Sequence, residues 1–180
     1  MRSDKVLLLH LKKGDQGALE ELFEKYYYRL CDFAFQYVHS VDLTEEVVSD
    51  VFLNIWQKRS ALTISGNFKA YLFTAVRNRA LNYVKSQKQP VDSLEDVPRQ
   101  AAQKQYRPDE ELQFKEFSNR MEALLNTLPP RRRRIFKLSR LEGFTYPQIA
   151  DMLSISVRTV QNQMVQAVKQ LASSELFDER

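Results

Sequence analysis

The apolar residues of this chain recur every three or four positions and nowhere every second one, and this spacing decides the fold class. In ALEELFEKYYYRLCDFAFQYV, Leu19, Leu22, Phe23, Tyr26, Leu30, Phe33 and Tyr37 share one side of a helix, because about 3.6 residues complete a turn. LTEEVVSDVFLNIWQK repeats the pattern with Val47, Val48, Val51, Phe52, Ile55 and Trp56. Thr44 and Asp42 are candidate caps for that helix, and acids crowd its first turn, where the helix dipole favours them. A break over residues 63–67, containing Gly66, leads into a third long helix over 68–88. With four glycines in 180 residues there is no glycine loop to cradle a phosphate. The chain is predicted to be all-α.

No proline precedes Pro90; Pro90, Pro98 and Pro108 then fall within SQKQPVDSLEDVPRQAAQKQYRPDEE, which is polar, mixed in charge and without apolar periodicity. Such composition reads as a flexible linker. The prediction is therefore two small helical domains, 1–88 and 111–174, joined by a linker over 89–110 and followed by a tail over 175–180. The second domain is predicted to hold helices near 110–126, 130–140, 146–153 and 157–172. Leu128-Pro129-Pro130 separates the first two, since proline suits an opening helical turn and not an interior. Thr145 and Gln148 have the spacing of a capping box. Ile149, Ala150, Leu153, Ile155 and Val160, with Ser156 as cap, then give a helix-turn-helix. Ser154 stands in its turn, where glycine is common.

Composition excludes several classes. Hydrophobic residues make up 43% and charged residues 28%, a globular balance. The single cysteine, Cys31, allows no internal disulfide and reads as packing on an apolar helix, while His10 and His39 have no zinc-ligand spacing. No nucleophile lies near a histidine at a suggestive interval, so no enzyme activity, metal or cofactor is predicted. The start, MRSDKVLLLHLKKGD, has Asp4 and Lys5 before a short apolar run and no small-residue cleavage site. Neither a signal peptide nor direct membrane insertion is expected, and the chain reads as cytoplasmic.

Charge distribution says more than the net +4. From Gln57 to Lys88 there are seven basic residues and no acids, whereas nine acids lie between Asp15 and Asp50. In FKAYLFTAVRNRALNYVKSQK a helical projection puts Phe68, Tyr71, Leu72, Ala75, Val76 and Tyr83 on one side. Lys69, Arg77, Lys85 and Lys88 fall on the other, with Phe73 and Leu81 among them. A solvated basic face or a membrane-surface helix shares this composition. Segregation of sign, together with aromatic rings, favours single-stranded nucleic acid: cations follow phosphates, rings stack on bases, and Asn67 and Asn78 meet base edges. Residues 118–172 carry nine basic side chains against three acidic ones. Arg131 to Arg134 open a helix where the dipole disfavours them but backbone phosphates would not. In the recognition helix, SVRTVQNQMVQAVKQL, the predicted packing face is Val157, Val160, Met164, Val168 and Leu171. Arg158, Thr159, Gln161, Asn162, Gln163 and Gln166 project outward, where amides pair bidentately with adenine in a major groove.

Taken in order, GDQGALEELFEKYY, LTEEVVSDVFLNIW, FKAYLFTAVRNRALNYVK and LPPRRRRIFKLSRLEGFTYPQIADMLSISVRTVQNQMVQAVKQL resemble the extracytoplasmic-function sigma factors of bacterial RNA polymerase. The last is especially similar to the branch paired with a membrane-bound anti-sigma factor. The resemblance implies that Glu46, Ser49, Asp50, Phe52 and Trp56 bind core RNA polymerase. Where the family usually carries glutamine then glutamate, this chain has Ser49 and Asp50. It further implies that the loop over 63–67 and the following helix capture the melted minus-10 strand through Asn67, Phe68, Lys69, Tyr71, Arg77, Asn78 and Lys85. The duplex minus-35 element would fall to Arg131, Arg132, Thr145, Tyr146, Ser156, Arg158, Thr159, Gln161, Asn162, Gln163 and Gln166.

A conventional dimeric helix-turn-helix regulator would share the second half of this chain. It would differ in the first domain, where a sensor should show strands and a ligand or phosphoacceptor pocket. A helical adaptor without transcriptional activity is the other alternative.

Overall fold

The structure, a computed structural model, describes residues 2–64, 66–86 and 119–173. The chain divides into two units, Met1–Val97 and Pro98–Arg180. The first contains α1 (Asp4–Lys12), α2 (Gln16–Val38), α3 (Val41–Gln57) and α4 (Phe68–Ser86). The second contains a helical stretch over 119–126, α5, followed by α6 (Pro130–Arg140), α7 (Tyr146–Leu153) and α8 (Val157–Ala172). No strand occurs among the described residues. The predicted linker over 89–110, Lys88, the start of the helix predicted from 110 and the tail lie outside the described residues.

In the first unit the amino-terminal apolar run, which the sequence reading leaves without a structure, forms α1. Leu7 and Leu11 are fully buried, and polar bonds fasten the helix to α2. The Asp4 carboxylate accepts from Lys25 Nζ at 2.7 Å and from the Tyr26 hydroxyl at 2.6 Å. Arg2 Nε donates to Glu21 at 3.0 Å and holds that carboxyl below its ordinary range. Asp15 caps α2 by accepting from the Ala18 N–H, and its carboxyl is held low chiefly by the hydrogen bond to the His10 ring.

The long α2 buries Ala18, Leu22, Tyr26, Leu30, Phe33, Ala34 and Val38, a stripe wide enough to serve both α3 and α4. It ends at His39 in the left-handed region, φ 52°. The cap of α3 is Ser40, neither Thr44 nor Asp42: its hydroxyl accepts from the Leu43 N–H. Thr44 is already inside the helix and buried, donating its hydroxyl to the Ser40 carbonyl at 2.7 Å. Beside this junction Tyr27 stacks on Phe23 at 4.5 Å between centroids. Burial, with the Cys31 thiol and Glu45 nearby, pushes the Tyr27 phenol up to about 12.

In the second unit Leu124, Leu125 and Leu128 pack with Ala167 and Leu171 of α8, flanked by Met121 and Phe136. Pro130 occupies the first turn of α6, where its missing N–H breaks no helical bond. Ile149, Ala150 and Met152 of α7 complete the interior. The packing face of α8 is Val160, Met164, Ala167 and Leu171, which corrects the sequence projection. Val157 and Val168 are exposed, at 38% and 49%. The row closest to the neighbouring helices runs through Ala167, one position before Val168 and about 100° away.

Candidate nucleic-acid interfaces and the acidic face

The helix-turn-helix is fixed by local chemistry at each joint. At the start of α7 the Thr145 N–H donates to Gln148 Oε1 at 2.9 Å and the Gln148 N–H donates to Thr145 Oγ1, so the predicted capping box is present. The helix stops at Ser154, φ 55° and ψ 49°. This left-handed conformation costs a side-chain-bearing residue about 1 kcal/mol relative to glycine. Two residues on, Ser156 Oγ accepts from the Thr159 N–H at 3.0 Å and lies 2.8 Å from Thr159 Oγ1. Thr145, Ser156 and Thr159, all predicted at DNA, are thus engaged in shaping the motif, and Tyr146 is half-buried beside them.

What α8 presents outward is Arg158, Gln161, Asn162 and Gln166, all exposed, with Val165 at 53% among them. Gln163 is only half-exposed. The arginine run opening α6 does not form a uniform phosphate-binding comb. Arg131 is exposed, but Arg132 donates from Nη1 to Gln170 Oε1 at 2.6 Å and from Nε to Gln163 Oε1 at 3.4 Å. Arg133 donates from Nη2 to the carbonyl of Asn126, at the end of α5, where a helix leaves acceptors without N–H partners, and to that of Leu128 in the loop beyond it.

In the first unit α3 turns Asp42, Glu45, Glu46 and Ser49 to solvent with Leu53, an exposed leucine that the sequence reading does not single out. Trp56 is half-buried, with the Arg59 guanidinium 4.3 Å over its ring. Phe52 corrects the expectation: it is 4% exposed and meets Phe23 edge-on at 5.0 Å. It orients α3 from beneath and is not part of its outer surface. Asp50 is bound by Arg79 of α4, whose Nε lies 2.9 Å from Oδ2 and whose Nη2 reaches the same oxygen.

The predicted strand-binding residues divide on α4. Asn67 is its cap, with Oδ1 accepting from the N–H groups of Lys69 at 2.8 Å and Ala70 at 3.4 Å; Gly66 before it has φ 103°. Phe68 is buried against the Tyr26 edge, so it supports a surface without forming one. Phe73 corrects the projection: it is 1% exposed and packs 5.1 Å from Phe33, with the Lys69 amine 5.9 Å above its ring. Asn78 and Lys85 are exposed, Arg77 and Tyr71 half-buried, and Arg77 Nη1 donates to Asn78 Oδ1 at 3.4 Å. Tyr71, Asn78, Arg79 and Asn82 share with Asp50 and Asn54 a groove of about 500 Å³ between α3 and α4. Asp50 and Arg79 are 29 residues apart, so no local spacing announces their pairing.

The family pattern Sigma-70 region 2 matches residues 22–89, and Sigma-70, region 4 matches residues 118–171. Together they account for most of the described helices. The ECF RNA polymerase sigma-E factor of Escherichia coli (strain K12) is 27% identical over 173 residues, covering 92% of this chain and 90% of the relative. The Haemophilus influenzae protein of the same name is 23% identical over 92% of this chain and 91% of its own length. Among solved structures, the sigma factor RpoE of Bartonella quintana, crystallised with the anti-sigma factor NepR, has a TM-score of 0.60 at 22% identity, covering 89% of this chain and 98% of that one. CnrH in complex with the cytosolic domain of CnrY has a TM-score of 0.59 at 20% identity, covering 94% and 95%. These structural likenesses are likenesses of fold.

Proposed function

We propose, from the premise that the chain belongs to the sigma-70 family in its extracytoplasmic-function form, that its two units divide promoter recognition between them. Sigma factors are initiation factors and not enzymes: they bind core RNA polymerase and promoter DNA. This chain is an alternative sigma factor that directs promoter-specific initiation under the control of an anti-sigma factor.

The observation that carries it is the outward face of α8, where Arg158, Gln161, Asn162 and Gln166 stand exposed on a helix capped by Ser156. Such a face fits the major groove of the minus-35 duplex, with Arg131 on the backbone phosphates. The acidic face of α3, with Glu46, Ser49, Asp50, Leu53 and Trp56, suits a basic surface of core polymerase. Asn78, Lys85, Arg77 and Tyr71 on α4 offer the cations, amide and ring that an unpaired minus-10 strand requires. The regulator is read as membrane-bound from the sequence resemblance, and the chain itself as cytoplasmic. Among the described residues no helix is long and apolar enough to cross a membrane.

Run-off transcription with sigma-free bacterial core polymerase on fragmented source DNA tests this reading. Discrete transcripts that depend on the chain are expected. Duplex binding without initiation would return the chain to the conventional regulators.

A further inference from the structure

Sequence reasoning puts Arg132 on a phosphate and pairs Gln163 bidentately with adenine, but the structure ties these two side chains to each other. Arg132 Nε faces Gln163 Oε1 at 3.4 Å and Nη1 faces Gln170 Oε1 at 2.6 Å. Gln170 in turn donates from Nε2 to the Thr127 carbonyl at 2.7 Å, so its amide is engaged at both ends and holds the guanidinium in place. A guanidinium carries five N–H donors and no acceptor. The amide atom that Gln163 turns toward it must therefore be the oxygen, because the flipped amide would set N–H against N–H.

Bidentate recognition of adenine needs both amide atoms, the oxygen to accept from N6 and the nitrogen to donate to N7. The Gln163 oxygen keeps a second lone pair, so what Arg132 imposes is orientation: the oxygen is drawn toward α6, and the NH₂ is the end of the amide turned away from it. We infer that Arg132 is a positioning residue that sets specificity through Gln163, turning the base position read by this side chain from adenine to guanine. Guanine presents two acceptors, N7 and O6, to the two amide hydrogens; adenine sets its own N6 amine against them. Asn162 and Gln166, elsewhere on α8, keep the adenine option. This inference rests on the reading that α8 enters the major groove of the upstream promoter element.

The test is initiation by full-length chain with core polymerase on a promoter library randomised across the upstream element, with transcripts sequenced. Gln163→Ala locates the position by flattening its preference. There the unmodified chain should favour guanine, and Arg132→Met should move the preference toward adenine by about 5-fold or more, the lower end of the discrimination of a good bidentate contact, with other positions unchanged. Gln163→Glu keeps the bridge to Arg132 but presents only acceptors, so it should turn the same position toward cytosine, whose N4 donates. This second variant leaves the Gln170 link intact and carries the test should Arg132→Met not fold. Adenine preferred by the unmodified chain, or initiation lowered evenly with every base preference kept, overturns the inference. Absence of any transcript from the unmodified chain is a different result, one that removes the sigma-factor reading itself.

Discussion

Helices α4 and α8 are both assigned to nucleic acid, yet their units hold them in different ways. Along α8 one narrow stripe of Val160, Met164, Ala167 and Leu171 is buried, and most of the circumference stays open. Helix α4, packed against α2 and α3, buries Phe68, Leu72, Phe73, Val76 and Ala80 and gives Tyr71, Asn78, Arg79 and Asn82 to the groove beside α3. Both helices have two neighbours, but α4 leaves fewer of its side chains exposed than α8 does, so its polar residues acquire internal work. Asn67 caps the helix, Lys69 lies over Phe73, and Arg79 holds Asp50. Polar side chains on α8 are therefore better candidates for direct reading, and those on α4 for shaping a surface.

The largest test of this contrast is a pair of truncations. Phe73→Ala on α4 should destabilise the first unit by about 3–5 kcal/mol through the cavity it leaves. Val168→Ala on α8, half-exposed, should stay within about 0.5 kcal/mol. Urea unfolding measures both, and a Phe73 cost near that of Val168 would return the ring to the surface where the sequence projection puts it. The first unit should also be distinguishable in alkali. Tyr27 has an ordinary phenol value near 10 when unfolded and about 12 when folded, so the unfolded chain releases this proton first. Stability from this group is fully present below pH 10 and declines as pH rises toward 12. Tyr27→Phe should remove that part of the slope in a pH series of unfolding midpoints.

The second unit was the more legible of the two in sequence, because its decisive features are local. A Thr145–Gln148 capping box, a Ser156 cap and two prolines at 129 and 130 act within four residues of themselves, and the structure has each. The first unit depends on contacts far apart in the chain. Whether Phe73 is core is decided by Phe33, forty positions earlier, and no helical projection of residues 68–88 contains that information. The α1 run is too short for periodicity to speak, and Leu7 and Leu11 acquire meaning only against α2. Thr44 loses the cap to Ser40 because both hydroxyls precede the same apolar run and composition does not choose between them. At the candidate sites, residue type was legible and orientation was not: Arg132 and Asn67 have the chemistry expected and use it inside the protein, and Gln163 turns its amide oxygen inward to Arg132.

Two helix ends give effects of about 1 kcal/mol with opposite sign. Ser154→Gly relieves a left-handed residue and should stabilise the second unit by about that amount. Asn67→Ala removes the acceptor for two N–H groups and should destabilise the first unit by a similar amount. Thermal unfolding resolves both. If Asn67→Ala leaves the melting unchanged but impairs strand opening, its amide serves the DNA and the contrast between α4 and α8 narrows.

The smallest effect bears most directly on how α3 and α4 cooperate. Asp50 and Arg79 are 33% and 48% exposed at their side chains, so solvent screens their attraction, and a double-mutant cycle with Asp50→Asn and Arg79→Gln should give a coupling of about 0.2–1 kcal/mol. That coupling should shrink further at high salt. A pair this weak does not hold α4 in place; its consequence is directional. It keeps the Asp50 carboxylate turned toward the α4 side of the α3–α4 groove, and any basic group of core polymerase that engages Asp50 competes with Arg79 for it. Asp50→Asn should then lower polymerase affinity by a larger factor than it lowers stability. If stability and affinity fall together, Asp50 belongs to the scaffold, and the functional face of α3 reduces to Glu46, Ser49, Leu53 and Trp56.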